Sequence, residues 1–263
     1  MLKIEQHYKL FICLLTCIFS ATTISLSIQW NRNELKIYRF NGTDWKGYIS
    51  GWIEMEILTE PTADTMGTCR ISGNNGRYIA KNLVLPKIVR NPNNNQLYVP
   101  TEIADQGFTA CELKGSLTIP GHIKTLNSAA FIGVTTVDGS LIIEEGVETI
   151  DYNAFYGDTF TGTLVLPSTV TYIGQNAFNS TKNLKEIKFM NGLSGLIWNS
   201  FTNSGATSIV FDGWQSLPTW PTGQLFRYLP ETGTVRSINS PISSVEFCDY
   251  LKLRSLPSGW SPI

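Results

Sequence analysis

A small residue followed by phenylalanine recurs along the middle of this chain at a nearly constant step. Ala130-Phe131, Ala154-Phe155, Ala177-Phe178 and Ser200-Phe201 place their rings 24, 23 and 23 residues apart. Phe108 lies 23 residues before Phe131, and Phe226 lies 25 after Phe201. A fixed period of this length marks a chain built from stacked copies of one supersecondary unit, and it restricts the fold more tightly than composition does. Three copies align: SLTIPGHIKTLNSAAF (116–131), SLIIEEGVETIDYNAF (140–155) and TLVLPSTVTYIGQNAF (163–178). Each runs Leu-x-Ile or Leu-x-Leu, then one apolar residue, then Leu or Ile, then the small residue and Phe.

Leu117/Ile119, Leu141/Ile143, Leu164/Leu166, Ile187/Phe189 and Ile209/Phe211 each enclose one residue of the opposite face, the period of a strand. Only about three residues alternate each time, so each strand is short. Equivalent strands at a constant step stack as a parallel ladder, about 4.8 Å per coil. Ile123/Leu126, Val147/Ile150, Val170/Ile173 and Leu193/Leu196 are spaced by three, which predicts a tight turn of 3₁₀ or helical character facing the same core. No coil covers its own apolar edges, so neighbouring coils must. The pattern predicts an α/β-type repeat solenoid, with short parallel β-strands on one face and tight turns or short helical segments on the other.

The strand Leu117-Thr118-Ile119-Pro120, its counterpart Leu164-Val165-Leu166-Pro167 and the turn Ile173-Gly174-Gln175-Asn176-Ala177-Phe178 resemble the BspA-like class of leucine-rich repeats. Phe108-Thr109-Ala110-Cys111 also resembles that class, whose turn often ends in cysteine. Val134, Asp158, Thr181 and Ser204 take that place in the later copies, which leaves Cys111 as a lone remnant expected to be buried. The resemblance covers roughly residues 83–228. It implies an exported surface protein of a host-associated bacterium or parasitic protist, several relatives of this kind being adhesins.

The N-terminus reads as a secretory signal peptide, residues 1–28: Lys3 and Lys9, an apolar run from Leu10 to Ile24, then small residues. Ser25 and Ser27 suit cleavage after Ser27, with Ser20 and Ala21 as alternatives. An uncleaved anchor is a competing reading, which the hydroxyls of Thr16, Ser20, Thr22, Thr23, Ser25 and Ser27 disfavour. Leu14-Leu15-Thr16-Cys17 resembles a bacterial lipobox, which would make the chain a lipoprotein at Cys17, although Thr16 and the apolar Ile18-Phe19 depart from that pattern. Localisation is therefore expected to be secreted or at the cell surface. Any membrane contact runs only through the N-terminal segment, if it is uncleaved or lipidated.

Residues 29–82, rich in aromatics, read as a β-rich cap or small module, with Asn41-Gly42 turning a hairpin between Leu35–Phe40 and Trp45–Ser50. Residues 83–228 are the solenoid, about six coils, with RNPNNNQLY as a polar loop in the first. Residues 229–263 read as a C-terminal cap in which SSVEFCDYLKLRSLPSGW supplies a helix. Cys69, Cys111 and Cys248 make at most one disulfide, so the fold rests on its core.

Lysine and arginine total 20 against 21 acids, and removing residues 1–28 leaves 18 against 20. That balance excludes affinity built on phosphate neutralisation, so no nucleic-acid partner is expected. Beyond His7 in the leader, His122 is the sole histidine, which excludes a multi-histidine metal site. No GxxxxGK[ST], GxGxxG, CxxC or HExxH occurs, and no cofactor is expected. His122, in Pro120-Gly121-His122, reads as an exposed turn residue. Glu144, Glu145, Glu148 and Asp151 read as a solvated edge, with a glycan-active enzyme as the remote alternative. Asn41-Gly42-Thr43 and Asn179-Ser180-Thr181 are glycosylation sequons, meaningful in a eukaryotic source.

The remaining candidates form the outward row of the strand face: Val84, Thr118, Ile142, Val165, Lys188 and Val210. Ser116, Ser140, Thr163, Glu186 and Ser208 lie beside it. An exposed apolar line suggests a contact surface, while β-branched residues suit a strand whatever its task. The expected function is non-catalytic binding of a protein or glycan on a host or neighbouring cell, through Thr118, Ile142, Val165, Lys188 and Val210. A structural cell-envelope scaffold is the alternative.

Overall fold

A computed structural model of the chain describes residues 30–32, 35–38, 49–50, 53–73, 79–91, 94–137 and 139–263. The leader reading of residues 1–28, with Cys17, lies outside the described residues, as does the Asn41-Gly42 turn.

The strands run in chain order β1 (Trp30–Arg32), β2 (Leu35–Tyr38), β3 (Ile49–Ser50), β4 (Ile53–Thr59), β5 (Gly67–Gly73), β6 (Ile79–Val84), β7 (Val89–Arg90), β8 (Leu97–Ile103), β9 (Glu112–Ile119) and β10 (Thr125–Leu126). They continue as β11 (Thr135–Val137), β12 (Leu141–Ile143), β13 (Thr149–Ile150), β14 (Gly162–Leu166), β15 (Tyr172–Ile173), β16 (Leu184–Met190), β17 (Gly195–Leu196), β18 (Ser208–Asp212) and β19 (Thr232–Ile238). The helix α1 (Ser244–Lys252) and β20 (Gly259–Pro262) follow.

This is a β-solenoid with parallel strands and little helix. On one face β6, β9 and β12 form a parallel ladder, and β14, β16, β18, β19 and β20 form a second. The two sheets meet between β12 and β14, which lie side by side without a shared ladder. On another face the two-residue strands β10, β13, β15 and β17 stack in parallel behind β8. The apolar residues that the period of two assigns inward are buried, from Leu117 and Ile119 to Ile209 and Phe211.

The three-spaced pairs are buried as well, and each opens on the expected tight turn. Ile123, Val147 and Val170 each donate an amide to the carbonyl three residues back, at Pro120, Glu144 and Pro167, closing one turn. The chain then extends into a two-residue strand instead of a second helical turn. Extension lets backbone groups bond between coils, as Lys124 does to Thr101 and Asp151 to Leu126, which a helical turn would forgo. Among the described residues, α1 supplies the helix.

A third ladder runs through the Ala-Phe segments. Ala129, Phe131 and Gly133 donate to the carbonyls of Tyr152, Ala154 and Tyr156 on the next coil. Asn153, Phe155 and Gly157 repeat the set toward Gln175, Ala177 and Asn179. Aiming alternate amides along the axis needs two left-handed residues per coil, four apart: Asn153 (φ 55°) with Gly157 (φ 74°), and Asn199 (φ 61°) with Asn203 (φ 57°). Asparagine and glycine tolerate that region at least cost, which explains the Asn-Ala-Phe of the repeat.

Between these ladders lies the ring column. Phe108, Phe131, Phe155, Phe178, Phe201 and Phe226 stack with centroid separations of 5.2, 5.4, 5.2, 5.2 and 5.7 Å. At the C-terminal end, Phe247 of α1 lies on Phe211 at 3.9 Å, above Phe189, and Trp214 and Trp220 surround them. A capping box starts α1: Glu246 N–H donates to Ser243 Oγ, and the Glu246 carboxylate accepts from the Ser243 amide.

The described N-terminal strands are divided between two sheets. β2 lies between β1 and β4, all antiparallel, and β3 pairs with β6 in a different sheet. β5 then joins β8 in parallel and ties this region to the short-strand face. At the two ends of RNPNNNQLY, β7 and β8 form an antiparallel pair, with Val89 opposite Tyr98 and Arg90 opposite Leu97. Cys69, Cys111 and Cys248 are all buried and form no disulfide. Burial pushes the Cys69 thiol up to about 12 and raises that of Cys248, so neither is a ready thiolate.

Candidate binding face

The outward row of the strand face is a register property. Val84, Thr118 and Ile142 are successive partners across β6, β9 and β12, and Val165, Lys188, Val210 and Arg236 are partners across β14, β16, β18 and β19. Their surroundings are unequal. Ile142 is 46% and Val165 40% exposed, although both are apolar. They flank the seam between the two sheets. Val84 and Thr118 are half-buried on the N-terminal side.

Val210 departs from the expected row: it is 1% exposed and cannot line an open surface. Its covering comes from its neighbours. Lys188 stands opposite Val210, and its Nζ reaches Asp212 Oδ2 at 2.6 Å, two residues along Val210's own strand. The lysine stem therefore crosses Val210, while Arg236 stands on its other side. Hydrogen bonds from Lys188 first, then from Asn239, hold the Asp212 carboxyl below its ordinary range. The open apolar strip thus narrows to Ile142 and Val165, with Thr118 and the Lys188–Asp212 pair at its ends.

The adjoining hydroxyl row bonds within itself. Ser116 and Ser140 share a hydrogen bond of 2.9 Å, and Glu186 accepts from Ser208 at 2.8 Å and from Thr163 at 3.5 Å. These links join coils side to side and leave a polar border along the strip.

The acidic coil is engaged in similar links. Glu145 accepts from Ser168 N at 3.1 Å, Ser168 Oγ at 3.0 Å and Thr169 N at 3.3 Å. Although partial burial opposes it, those hydrogen bonds hold the Glu145 carboxyl below its usual value. Glu144 accepts from Gly121 N, Glu148 pairs with Lys124 at 3.1 Å, and Asp151 accepts from Tyr152 N. His122 is less open than a free turn residue: its Nε2 lies 2.8 Å from Pro86 O, and burial lowers its pKa. The sequon at Asn179 is built into the turn ladder, with the Thr181 hydroxyl buried and donating to Phe178 O. Among the described residues, no group of three metal-ligating side chains converges. No described helix is long and apolar enough to cross a membrane.

Sequence reasoning missed a second surface. Tyr152, Tyr172 and Trp198 are 45, 36 and 60% exposed on the short-strand and turn side. Their signal was available: each takes an outward position of the repeat at which other coils carry Ser, Thr, Gly or Gln.

The repeat geometry has a counterpart among known families. Residues 101–220 match the family model for a BspA type Leucine rich repeat region, in six copies. The chain carries a BspA-type leucine-rich repeat region. Among solved structures, the pneumococcal vaccine antigen PcpA aligns with a TM-score of 0.51 at 16% identity, over 82% of this chain and 51% of that one. The chain therefore spans about half the length of that structure, and the likeness is one of fold. A leucine-rich repeat protein from Bacteroides ovatus aligns with a TM-score of 0.30 at 12% identity, over 74% of this chain and 67% of that one. A leucine rich cell surface protein from Faecalibacterium prausnitzii aligns with a TM-score of 0.19 at 15% identity, over 81% and 98%. A comparison with curated proteins found no match.

Proposed function

We propose that this BspA-type repeat region is a non-catalytic recognition module of an exported protein, binding a protein on a host or neighbouring cell through the strand face around Thr118, Ile142, Val165 and Lys188. The observation that carries this reading is the pair of open apolar rungs, Ile142 and Val165, at adjacent stations of a face bordered by hydroxyls. Burial holds the coil together from the other side of these strands, so their outward side chains are free to serve contact. Export rests on the basic-then-apolar leader of residues 1–28 and agrees with the family.

The test uses the labelled full-length chain on intact host and bacterial cells, with Val165→Asp and Ile142→Asp beside the parent. The expected result is binding that protease treatment of the target cells abolishes. Each variant should weaken it at least about tenfold while keeping the parent's circular dichroism. Unchanged binding in both variants overturns the reading. Self-association or envelope retention without any soluble or cellular partner would favour a scaffold instead. Mass spectrometry of the mature N-terminus, combined with fractionation, is expected to show cleavage after Ser27 and an exported product. An unprocessed cytoplasmic chain would refute export.

A further inference from the structure

Trp198 is the outlier among the described tryptophan side chains. Trp214, Trp220 and Trp260 are at most 4% exposed, whereas Trp198 is 60% exposed. Its position is set by the turn ladder. Ala129 N bonds to Tyr152 O, Asn153 N to Gln175 O and Asn176 N to Trp198 O, so Tyr152, Gln175 and Trp198 occupy one station on three successive coils. At about 4.8 Å per coil, the two aromatic residues are roughly 10 Å apart along the axis, with an amide side chain between them.

Tyr172 begins β15 on the middle coil, in register with Gly195 of β17. A Cβ on Gly195 would lie 2.8 Å from Tyr172 Cδ2, so the tyrosine ring lies over the glycine and depends on its missing side chain. The neighbouring outward positions Thr125, Thr149 and Ser128 are neutral. The nearby charges are engaged: Lys124 pairs with Glu148, and Asp151 accepts the Tyr152 amide.

We propose that Tyr152, Gln175, Trp198 and Tyr172 form a binding site for an uncharged β-1,4-linked hexopyranose chain lying along the solenoid axis. Aromatic faces stack on the apolar C–H face of a pyranose, and amide groups satisfy its hydroxyls. One coil advances by about the length of one sugar ring in such a chain. Because β-1,4-linked units alternate in orientation, the same face recurs at every second unit, the interval that separates Tyr152 from Trp198. Gln175 then meets the intervening sugar. The site holds no unpaired cation with which to select an anionic polymer, and a globular protein surface has no reason to follow a two-coil period. This site is separate from the strand face of the proposed protein contact.

The experiment is calorimetric titration of the full-length chain with cellohexaose and chitohexaose, and with maltohexaose as an α-1,4-linked control. Saturable binding of at least one β-1,4-linked hexaose is expected, and none of maltohexaose. Trp198→Ala should weaken binding about tenfold or more and Tyr152→Ala several-fold, both with unchanged circular dichroism because these rings are exposed. Val165→Asp should bind the hexaose as the parent does, which separates this site from the strand face. The inference is overturned if neither β-1,4-linked hexaose binds, if binding survives Trp198→Ala, or if maltohexaose binds equally well. It is also overturned if Trp198→Ala abolishes self-association of a chain that binds no sugar, which would assign the patch to a second copy.

Discussion

Removing one ring from the middle of the phenylalanine column tests the physical basis of the whole fold. Phe155 is 0% exposed, and it lies between Phe131 at 5.4 Å and Phe178 at 5.2 Å, with Phe160 edge-on at 6.2 Å. Phe155→Ala deletes a fully buried ring and leaves a cavity whose walls are backbone ladders on both sides, which collapse poorly. The expected cost is therefore about 3–5 kcal/mol. Within that figure, each lost stacking contact contributes roughly 0.5–1.5 kcal/mol. For a domain stable by about 5–15 kcal/mol, this is a large share. Phe155→Leu refills much of the space and should cost less than half as much. The assay is guanidinium unfolding followed by circular dichroism, with midpoint and slope fitted separately. Because coils interact only with neighbours, Phe155→Ala cuts two interfaces at once, and a broadened transition is expected as the two halves of the stack uncouple. A loss under about 1 kcal/mol, or equal losses for Ala and Leu, would refute the stacked-column account.

Two further outcomes follow from the turn ladder. Ala129 sits at φ 56°, where the equivalent residues of later coils are Asn153, Asn176 and Asn199, so Ala129→Asn should stabilise by about 0.5–1 kcal/mol, read as a raised midpoint. Asp158 is buried, with Oδ1 accepting from Val134 N at 2.7 Å and Oδ2 unbonded, and burial raises its pKa well above the ordinary carboxyl value. Above the unfolded value of about 4 the unfolded chain releases this proton more readily than the folded one, so the residue's unfavourable contribution grows as pH rises. Asp158→Asn keeps the acceptor for Val134 and should be more stable than the parent at pH 8, with the gap closing near pH 4. An equal gap at both values would refute the assignment.

The inward half of this structure was legible because burial repeats: Leu117, Leu141 and Leu164 face the core for the same reason in each coil, and the rings followed them. Three-spaced residues such as Val147 and Ile150 were placed inward and on a tight turn correctly, but the two-residue strand that follows the turn was not foreseen, because a spacing of three fits a helical turn and a turn followed by a strand alike. What decides is whether backbone groups bond within the coil or between coils, and side-chain pattern does not report that. Val210 failed for a different reason. Its alternation is faultless, but its exposure depends on a lysine stem from the next strand and an aspartate two residues along. The exposed aromatics were readable in principle from Tyr152 and Trp198 aligning with Ser128 and Gln175, once the column of the repeat to which they belong was known to face outward.

The same geometry limits what this chain can bind. In each coil the inward positions are fixed by stacking, and the ladder through the Ala-Phe turns consumes the amides that a loop would otherwise offer to a ligand. Variation is left to single outward residues, one per strand or turn station, and their equivalents line up parallel to the axis about 4.8 Å apart. Recognition built from such residues is therefore linear: a row of Ile142 and Val165 on one face, a row of Tyr152, Gln175 and Trp198 on another. A compact small molecule would touch one rung and gain little. An extended polymer, or an extended protein edge, touches several at once and gains from each. If the two proposed rows are the binding sites, their spacing along the axis favours long partners over small ones.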